Sequence, residues 1–231
     1  MDGGTGDGTG TVSDPRGEIE FGGLRISFDD RVLRPRPWTI AQSQWASDVA
    51  RAAPDGRVLE LFAGVGHIGL AAVAGGDRDL VMVDLNPAAV ELARHNIDRA
   101  GLAERVTVRH GRIDEVLADD ERFAVVVADP PWVPSAGIDE FPDDPSIAID
   151  GGDDGLDLAR TCCDVVARHL EPGGTAILQV GTADQVRALD EHLRTTASGL
   201  RTGEMRVFDR GVLVELVDDD PTDDPTQPTA P

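Results

Sequence analysis

The fold is decided by residues 58–70, which read VLELFAGVGHIGL. The apolar run from Val58 to Leu61 predicts a buried strand, and the glycines that follow allow a tight turn before a helix. Gly64, Gly66 and Gly69 have the Gly-x-Gly-x-x-Gly spacing, which lets a backbone approach a ligand closely. The stretch therefore predicts a strand, a turn and a helix at the start of a ligand-binding α/β fold.

A second apolar run, Leu80 to Val83, supports this interpretation because it ends in Asp84, twenty residues after Gly64. Nucleoside-binding folds place at this spacing a carboxylate that accepts from ribose hydroxyls. Glu60 precedes the glycines on the first strand. A carboxylate there repels the phosphates of a dinucleotide but suits a cofactor with an amino group and a sulfonium. We therefore expect S-adenosylmethionine; a nicotinamide cofactor and a glycine turn in a structural domain are the alternatives.

Both stretches resemble motifs of class I methyltransferases. Glu60-x-Phe62-x-Gly64-x-Gly66 is similar to the first motif, and Asp84-Leu85-Asn86-Pro87 to the second. The resemblance implies that the cofactor is held by Glu60, Phe62, Gly64, Gly66, Asp84 and Leu85. Many members also carry an acid after the third strand that meets the adenine amino group. This chain has Arg112 there, which we predict as a cofactor contact, with Asp114 as the substitute acid.

Charge restricts the choice of partner. The 231 residues contain 21 basic and 43 acidic side chains, so the formal net charge is −22. A chain this acidic repels the phosphate backbone of nucleic acids, whose binding depends largely on Lys and Arg. We therefore expect a protein substrate; nucleic acid is possible through a local basic patch but disfavoured.

The two cysteines, Cys162 and Cys163, are adjacent. They cannot form a disulfide framework and lack metal-ligand spacing, so we predict ordinary thiols on a helix and no metal. The N-terminus lacks the charged start and apolar core of a signal peptide, and no apolar run reaches membrane-spanning length. These features predict a cytoplasmic protein with no membrane partner.

Strands and helices alternate along most of the chain. Further strands are predicted from Val106 to Arg109, Phe123 to Ala128 and Thr175 to Val180, and a closing antiparallel hairpin from Met205 to Phe208 and Val212 to Val217. This order predicts an α/β fold with a Rossmann-like, doubly wound, mostly parallel seven-stranded sheet and a C-terminal antiparallel hairpin.

Three segments are predicted. Residues 1–17 and the acidic residues 218–231 lack apolar periodicity and should be disordered tails. Residues 18–217 should form one methyltransferase domain. It would begin with a small hairpin and a cap helix from about Gln42 to Ala52, with Thr39 as the helix cap.

The fourth strand runs directly into Asp129-Pro130-Pro131-Trp132. Methyl transfer to a planar nitrogen is an in-line displacement, so the enzyme must mainly hold the nitrogen against the methyl group. Asp129 and the Pro130 carbonyl, which two prolines hold in place, can each accept one N–H of an NH2 group, and Trp132 can stack on the acceptor. We predict as catalytic residues Asp129, Pro130, Pro131 and Trp132, with Asp129 also contacting the cofactor.

This motif and two further segments resemble one particular family of methyltransferases. Residues 129–135, DPPWVPS, and 148–157, AIDGGDDGLD, resemble segments of the HemK/PrmC family of protein glutamine methyltransferases, and residues 34–39, RPRPWT, resemble its Pro-Arg-Pro-Glu-Thr segment. Three replacements distinguish this chain: Asp129 stands for the family's Asn, Trp132 for its Tyr and Trp38 for its Glu. The helical domain that precedes the catalytic domain in bacterial members has no counterpart in these residues.

The resemblance implies a S-adenosylmethionine-dependent N-methyltransferase that acts on a glutamine side-chain amide of a protein of the release-factor type. An aspartate cannot donate to the oxygen of that amide as an asparagine can. Three alternatives therefore remain: methylation of an exocyclic amine of RNA or DNA, methylation of a small molecule, and a cofactor-binding partner subunit without catalysis.

Overall fold

A computed structural model describes residues 17–219. The predicted tails therefore lie outside the described residues, apart from their inner ends. Gly17 belongs to the first strand and Asp218 to the last. No helix within residues 17–219 combines the length and the apolar character that crossing a bilayer requires.

The chain begins with a two-stranded antiparallel hairpin formed by β1 (Gly17–Phe21) and β2 (Leu24–Phe28). A short 3-10 turn, Pro37–Thr39, leads into α1 (Ile40–Ala52). Thr39 occupies the N-cap position of this helix, as predicted, but its side chain makes no capping hydrogen bond, because its hydroxyl donates instead to the Arg36 carbonyl. Residues 29–39, which join β2 to α1, are called the cap segment below.

The main fold alternates strands and helices. Its first six elements are β3 (Val58–Leu61), α2 (His67–Val73), β4 (Leu80–Asp84), α3 (Pro87–Arg99), β5 (Val106–His110) and β6 (Phe123–Ala128). A long loop with two 3-10 turns follows, and the chain ends with α4 (Asp157–His169), β7 (Leu170–Val180), α5 (Ala183–Thr195), β8 (Leu200–Phe208) and β9 (Gly211–Asp218).

The seven main strands form one sheet in the order β5-β4-β3-β6-β7-β9-β8. Strands β3 to β7 are parallel, while β9 is antiparallel to both β7 and β8. The predicted fold class is thereby confirmed. The largest differences are at two strand starts: β7 begins at Leu170 rather than Thr175, and β8 at Leu200 rather than Met205. The ends of β4 and β5 and both ends of β9 differ by one residue.

Apolar side chains fill both faces of the sheet. Because successive strand residues point to opposite faces, Leu59 and Leu61 pack with α4 and α5, while Val58 packs with α1, α2 and α3. Cys162 and Cys163 are free thiols buried on α4, as predicted. Strand β6 is buried along its whole length, so the residue that follows it, Asp129, leaves the core at the carboxyl edge of the sheet.

A buried asparagine joins the hairpin to the glycine turn. Asn96 on α3 accepts from the Ser27 N–H at 2.8 Å and donates to the Ser27 and Val65 carbonyls, both at 3.0 Å. Asn96 is fully buried, so all three contacts form away from water. The side chain thus positions Val65, which lies between the first two glycines of the turn.

Replacing Asn96 with alanine should lower the free energy of unfolding by about 1–3 kcal/mol, because it leaves buried backbone groups without partners. Urea unfolding followed by circular dichroism measures the change. The matched control is His95→Ala, since His95 is the exposed neighbour on the same helix. Equal stability of the two variants would contradict a role for Asn96 in joining the hairpin to the turn.

Candidate active site

A cleft opens at the carboxyl edge of the sheet, with an empty volume of about 1180 Å³ including its mouth. It lies where the ends of β3, β4, β5 and β6 meet the cap segment and the loop after β6. Ligands bind at this edge in doubly wound folds because the strand-to-helix loops converge there. Seven predicted site residues line it: Phe62, Gly64, Asp84, Leu85, Arg112, Asp129 and Pro131.

The other four predicted residues do not line the cleft. Glu60 and Pro130 are buried, and Gly66 turns the backbone at φ 80° with its Cα facing the Met82 sulfur. Trp132 is half-buried, and its ring packs against Gly181 so closely that a Cβ there would lie 2.5 Å from Cε3. The structure thus brings Asp129 and Pro131 beside the cofactor motifs, while Trp132 lies against α5 and β7.

Asp84 organises the rim of the cleft at the glycine turn. Its two carboxylate oxygens accept from the Gly64 N–H at 2.6 Å and from the Asn86 N–H at 2.8 Å. Burial raises the pKa of Asp84, and these backbone donors partly offset the rise. A Cβ on Gly64 would meet nothing within 4 Å, so the turn borders open space with a bare backbone, as a close-fitting ligand requires.

Glu60 stands directly behind the turn. Its Oε1 accepts from the Gly69 N–H at 2.9 Å, while Oε2 is buried without a partner in the described chain. Burial raises the pKa of Glu60 above its ordinary value of 4.5 to about 8, and the nearby Asp84 and Asp129 carboxyls add to the rise. The free protein therefore tends to keep a proton on Glu60.

Gly69 leaves space for this carboxylate, since a Cβ there would lie 2.4 Å from Glu60 Oε2. Gly69→Ala should therefore displace Glu60 and lower the free energy of unfolding by about 1–3 kcal/mol. Thermal and urea unfolding measure the loss. Gly75→Ala is the matched control, because a Cβ on Gly75 meets nothing within 4 Å. If both variants unfold alike, close packing of Gly69 against Glu60 is contradicted.

Asp129 lies at the end of β6 and faces the cleft. Burial raises its pKa from 3.8 to about 7, and a hydrogen bond from Gln179 opposes the rise. The strand end is held by Gln42 of α1, which donates to the Ala128 carbonyl at 2.9 Å and to the Ile177 carbonyl at 3.2 Å. The motif therefore presents one half-buried carboxyl on a strand end that these hydrogen bonds hold in place.

Three carboxyls thus gather around the cleft with raised pKa values: Glu60, Asp84 and Asp129. Burying like charges together costs free energy that a bound cation would offset. These three carboxyls fit a ligand with a positive charge and hydroxyl groups. The residues present therefore suit a cofactor of the S-adenosylmethionine type.

His67 lines the cleft, although the sequence interpretation did not single it out. The Thr39 hydroxyl donates to the Arg36 carbonyl, so it accepts from His67 Nε2 at 3.2 Å. Burial lowers the pKa of His67 to about 3. The ring therefore stays neutral and adds no positive charge beside the three carboxyls. Its place directly after Gly66 was the only available signal in the sequence.

Arg112 and Asp114 also line the cleft. Arg112 pairs with Asp114 at 2.8 Å and with Glu115 at 3.1 Å, and it holds the pKa of Asp114 below its ordinary range. Both side chains therefore already have partners. A role for either in adenine binding stays a prediction.

Aromatic side chains stack on two cleft-lining arginines, Arg34 and Arg36. Trp38 is 37% exposed, and the guanidinium carbons of Arg36 and Arg210 lie 5.6 and 4.9 Å from its ring centroid. Arg36 pairs with Asp144 of the loop after β6 at 2.5 Å. Arg34 lines the cleft and stacks on Phe28. Neither Arg34 nor Arg210 has an ion-pair partner between residues 17 and 219.

No group of three or more His, Cys, Asp or Glu side chains in the described part of the chain is arranged to hold a metal ion.

Comparison with known proteins agrees with this architecture. Residues 21–142 match the family described as Conserved hypothetical protein 95. The chain is 34% identical over 169 residues to a release factor glutamine methyltransferase of Deinococcus radiodurans, covering 71% of this chain and 59% of that protein. It is 30% identical over 174 residues to a ribosomal protein uL3 glutamine methyltransferase of Francisella tularensis, covering 71% and 54%.

A solved structure shares the fold. The ribosomal protein L11 methylase from Lactobacillus delbrueckii subsp. bulgaricus superposes with a TM-score of 0.62 at 13% identity, covering 83% of this chain and 84% of that one. The predicted resemblance to class I methyltransferases is therefore confirmed for the fold. The chain spans a little over half the length of the two glutamine methyltransferases above.

Proposed function

This chain belongs to the family described as Conserved hypothetical protein 95, and from that premise we propose that it is a S-adenosylmethionine-dependent N-methyltransferase. The observation that carries the proposal is the position of Asp129. Its carboxyl faces the same cleft as Phe62, Gly64 and Asp84. An acceptor for N–H groups thus lies beside a site suited to a cationic nucleoside.

The cofactor, when bound, supplies a methyl group on a positively charged sulfur. Phe62, Gly64, Asp84 and Leu85 would hold it as cleft-lining residues, and Arg112 lies on the same wall. Glu60, behind the turn, would offset its positive charge.

Asp129 and Pro130 would act on the acceptor nitrogen. Asp129 would accept one N–H of a planar NH2 group, and the Pro130 carbonyl the other, which orients the nitrogen for attack. Orientation of this kind contributes up to about 7–11 kcal/mol in well-aligned reactions. Both oxygens also favour the positive charge that develops on nitrogen in the transition state.

A glutamine side chain of a protein is the acceptor that the similarities favour. Two relatives at 30% identity or more are glutamine methyltransferases of a release factor and of a ribosomal protein. The net charge of −22 also disfavours a polyanionic substrate. We place the protein in the cytoplasm, where such substrates are found.

An exocyclic amine of a nucleic acid is the second candidate. Arg34 and Arg210 are cations without ion-pair partners in residues 17–219. Arg34 lines the cleft, and Arg210 stacks on the exposed Trp38. Arginines with an aromatic ring are typical of surfaces that bind single-stranded nucleic acids. This local basic rim is the observation in its favour.

Transfer of labelled methyl groups from S-adenosylmethionine into a fractionated cell extract tests the proposal. Label should enter a protein band with the wild type and not with Asp129→Ala, and peptide mapping should then find methylglutamine. Asp139→Ala is the matched control, since Asp139 is exposed and does not line the cleft. Label in RNA or DNA would replace the preferred acceptor by the second candidate, and no label in any fraction would refute both.

A further inference from the structure

A buried glutamine, Gln179, contacts the Asp129 carboxyl. In the parallel pairing of β6 and β7, Ala128 lies opposite Leu178, so Asp129 and Gln179 are neighbours where the two strands end. Gln179 is 6% exposed, and its Nε2 donates to Asp129 Oδ1 at 2.9 Å. Within residues 17–219 it is the only side chain that hydrogen-bonds Asp129.

We propose that Gln179 is a positioning residue: it occupies Oδ1 of Asp129 and leaves Oδ2 as the acceptor for an N–H of the substrate. The proposal rests on the proposed methyl transfer to a planar nitrogen. An aspartate cannot donate to the oxygen of a substrate amide, as an asparagine can. With Gln179 bound to Oδ1, Asp129 would instead act only as an acceptor, through Oδ2. In the HemK/PrmC family, which this chain resembles, an asparagine stands at this position.

The hydrogen bond also favours the ionised form of Asp129. An ionised carboxylate can only accept, whereas a protonated carboxyl offers an O–H that would oppose the N–H of the substrate. Burial raises the pKa of Asp129 and the Gln179 hydrogen bond lowers it. Hydrogen bonds to a charged group contribute about 1.5–3 kcal/mol, so loss of the donor would protonate much of Asp129 at neutral pH.

Other charged groups face the same space. Asp84 and Asp114 contribute carboxyls to the cleft wall, Arg34, Arg36 and Arg112 contribute cations, and His67 stays neutral. Glu60 lies behind the glycine turn, near enough for the Asp129 carboxyl to raise its pKa. None of them hydrogen-bonds Asp129. Removal of its direct partner, Gln179, should therefore change the pKa of Asp129 more than removal of any of these groups.

Carbon-13 NMR of labelled aspartate carboxyls, in the protein without cofactor, tests the contact independently of activity. The Asp129 signal is assigned by its disappearance in Asp129→Asn. Gln179→Leu should raise the pKa of Asp129 by about one to two, from the energy of a charged hydrogen bond. Gln44→Leu is the control, because Gln44 is an exposed glutamine on α1 that does not line the cleft. An equal pKa in wild type and Gln179→Leu would overturn the proposal.

A rescue experiment tests whether the pair acts in catalysis. Gln179→Glu sets two carboxyls side by side and should lower kcat at least about tenfold at pH 7. Adding Asp129→Asn restores one donor and one acceptor to the pair. The kcat of the double variant should therefore be higher than that of the Gln179→Glu variant. Activity no higher in the double variant would overturn the positioning role. If the wild type methylates nothing, the proposed function fails, while the NMR titration still decides whether Gln179 sets the state of Asp129.

Discussion

Asp129→Ala should lower kcat for methyl transfer by about 10²- to 10³-fold, the loss typical of removing one preorganised group that stabilises a transition state. The carboxyl lies on the cleft wall at the end of a fully buried strand. The protein therefore holds it in place before the substrate arrives. Because the alanine variant keeps the strand and the prolines, its KM for the acceptor should change much less than kcat.

Steady-state kinetics with a saturating methyl donor measure this effect. Asp139→Ala should retain wild-type kcat, because Asp139 is exposed in the loop and does not line the cleft. A kcat within threefold of wild type for Asp129→Ala, with the fold intact by circular dichroism, would show that the carboxyl does not orient the acceptor.

The fold class could be predicted because local features determine it. Short apolar runs separated by glycine turns and helices leave few arrangements for a parallel sheet. The start of β7 was missed because Glu171-Pro172-Gly173-Gly174 has the composition of a turn. Sheet pairing overrides that local preference, since Phe123 of β6 pairs with Leu170.

The contacts around the site depended on distant residues and could not be read from local spacing. Gln179 is 50 positions from Asp129, and Gln42 is 86 positions from Ala128. Both glutamines are buried where strand ends converge, and a glutamine in a strand or helix carries no local sign of such a role. Motif spacing thus predicted which strand ends face the cleft, but not the side chains that hold them.

The alternation of strand residues explains the position of Glu60. Its side chain points to the same face as Val58, toward α2, where it reaches the Gly69 N–H. The sequence indicated correctly that a carboxylate stands beside the glycines. Whether it contacts the cofactor remains a prediction, because the structure places it behind the turn.

The stability of the free protein should fall as pH rises from about 5 to 9, and Glu60→Gln should remove much of that fall. Burial raises the pKa of Glu60 from 4.5 to about 8. The folded protein therefore binds this proton more tightly than the unfolded chain. The resulting stabilisation is complete below pH 4.5 and is lost as pH rises through 8. Its upper bound is about 4–5 kcal/mol, at about 1.4 kcal/mol for each pKa unit.

Urea unfolding at pH 5.5 and pH 8.5 measures this linkage. Wild type should lose several kcal/mol more than Glu60→Gln between the two pH values, while Asp129, with a raised pKa of about 7, contributes a smaller loss to both proteins. Glu104→Gln is the control, because Glu104 is exposed. The same pH dependence in wild type and Glu60→Gln would show that Glu60 is ionised in the folded protein.

A cationic cofactor would favour the ionised carboxyls, so its binding near pH 7 should release protons. Calorimetry in buffers of different ionisation enthalpy would detect that release, and Glu60→Gln should reduce it.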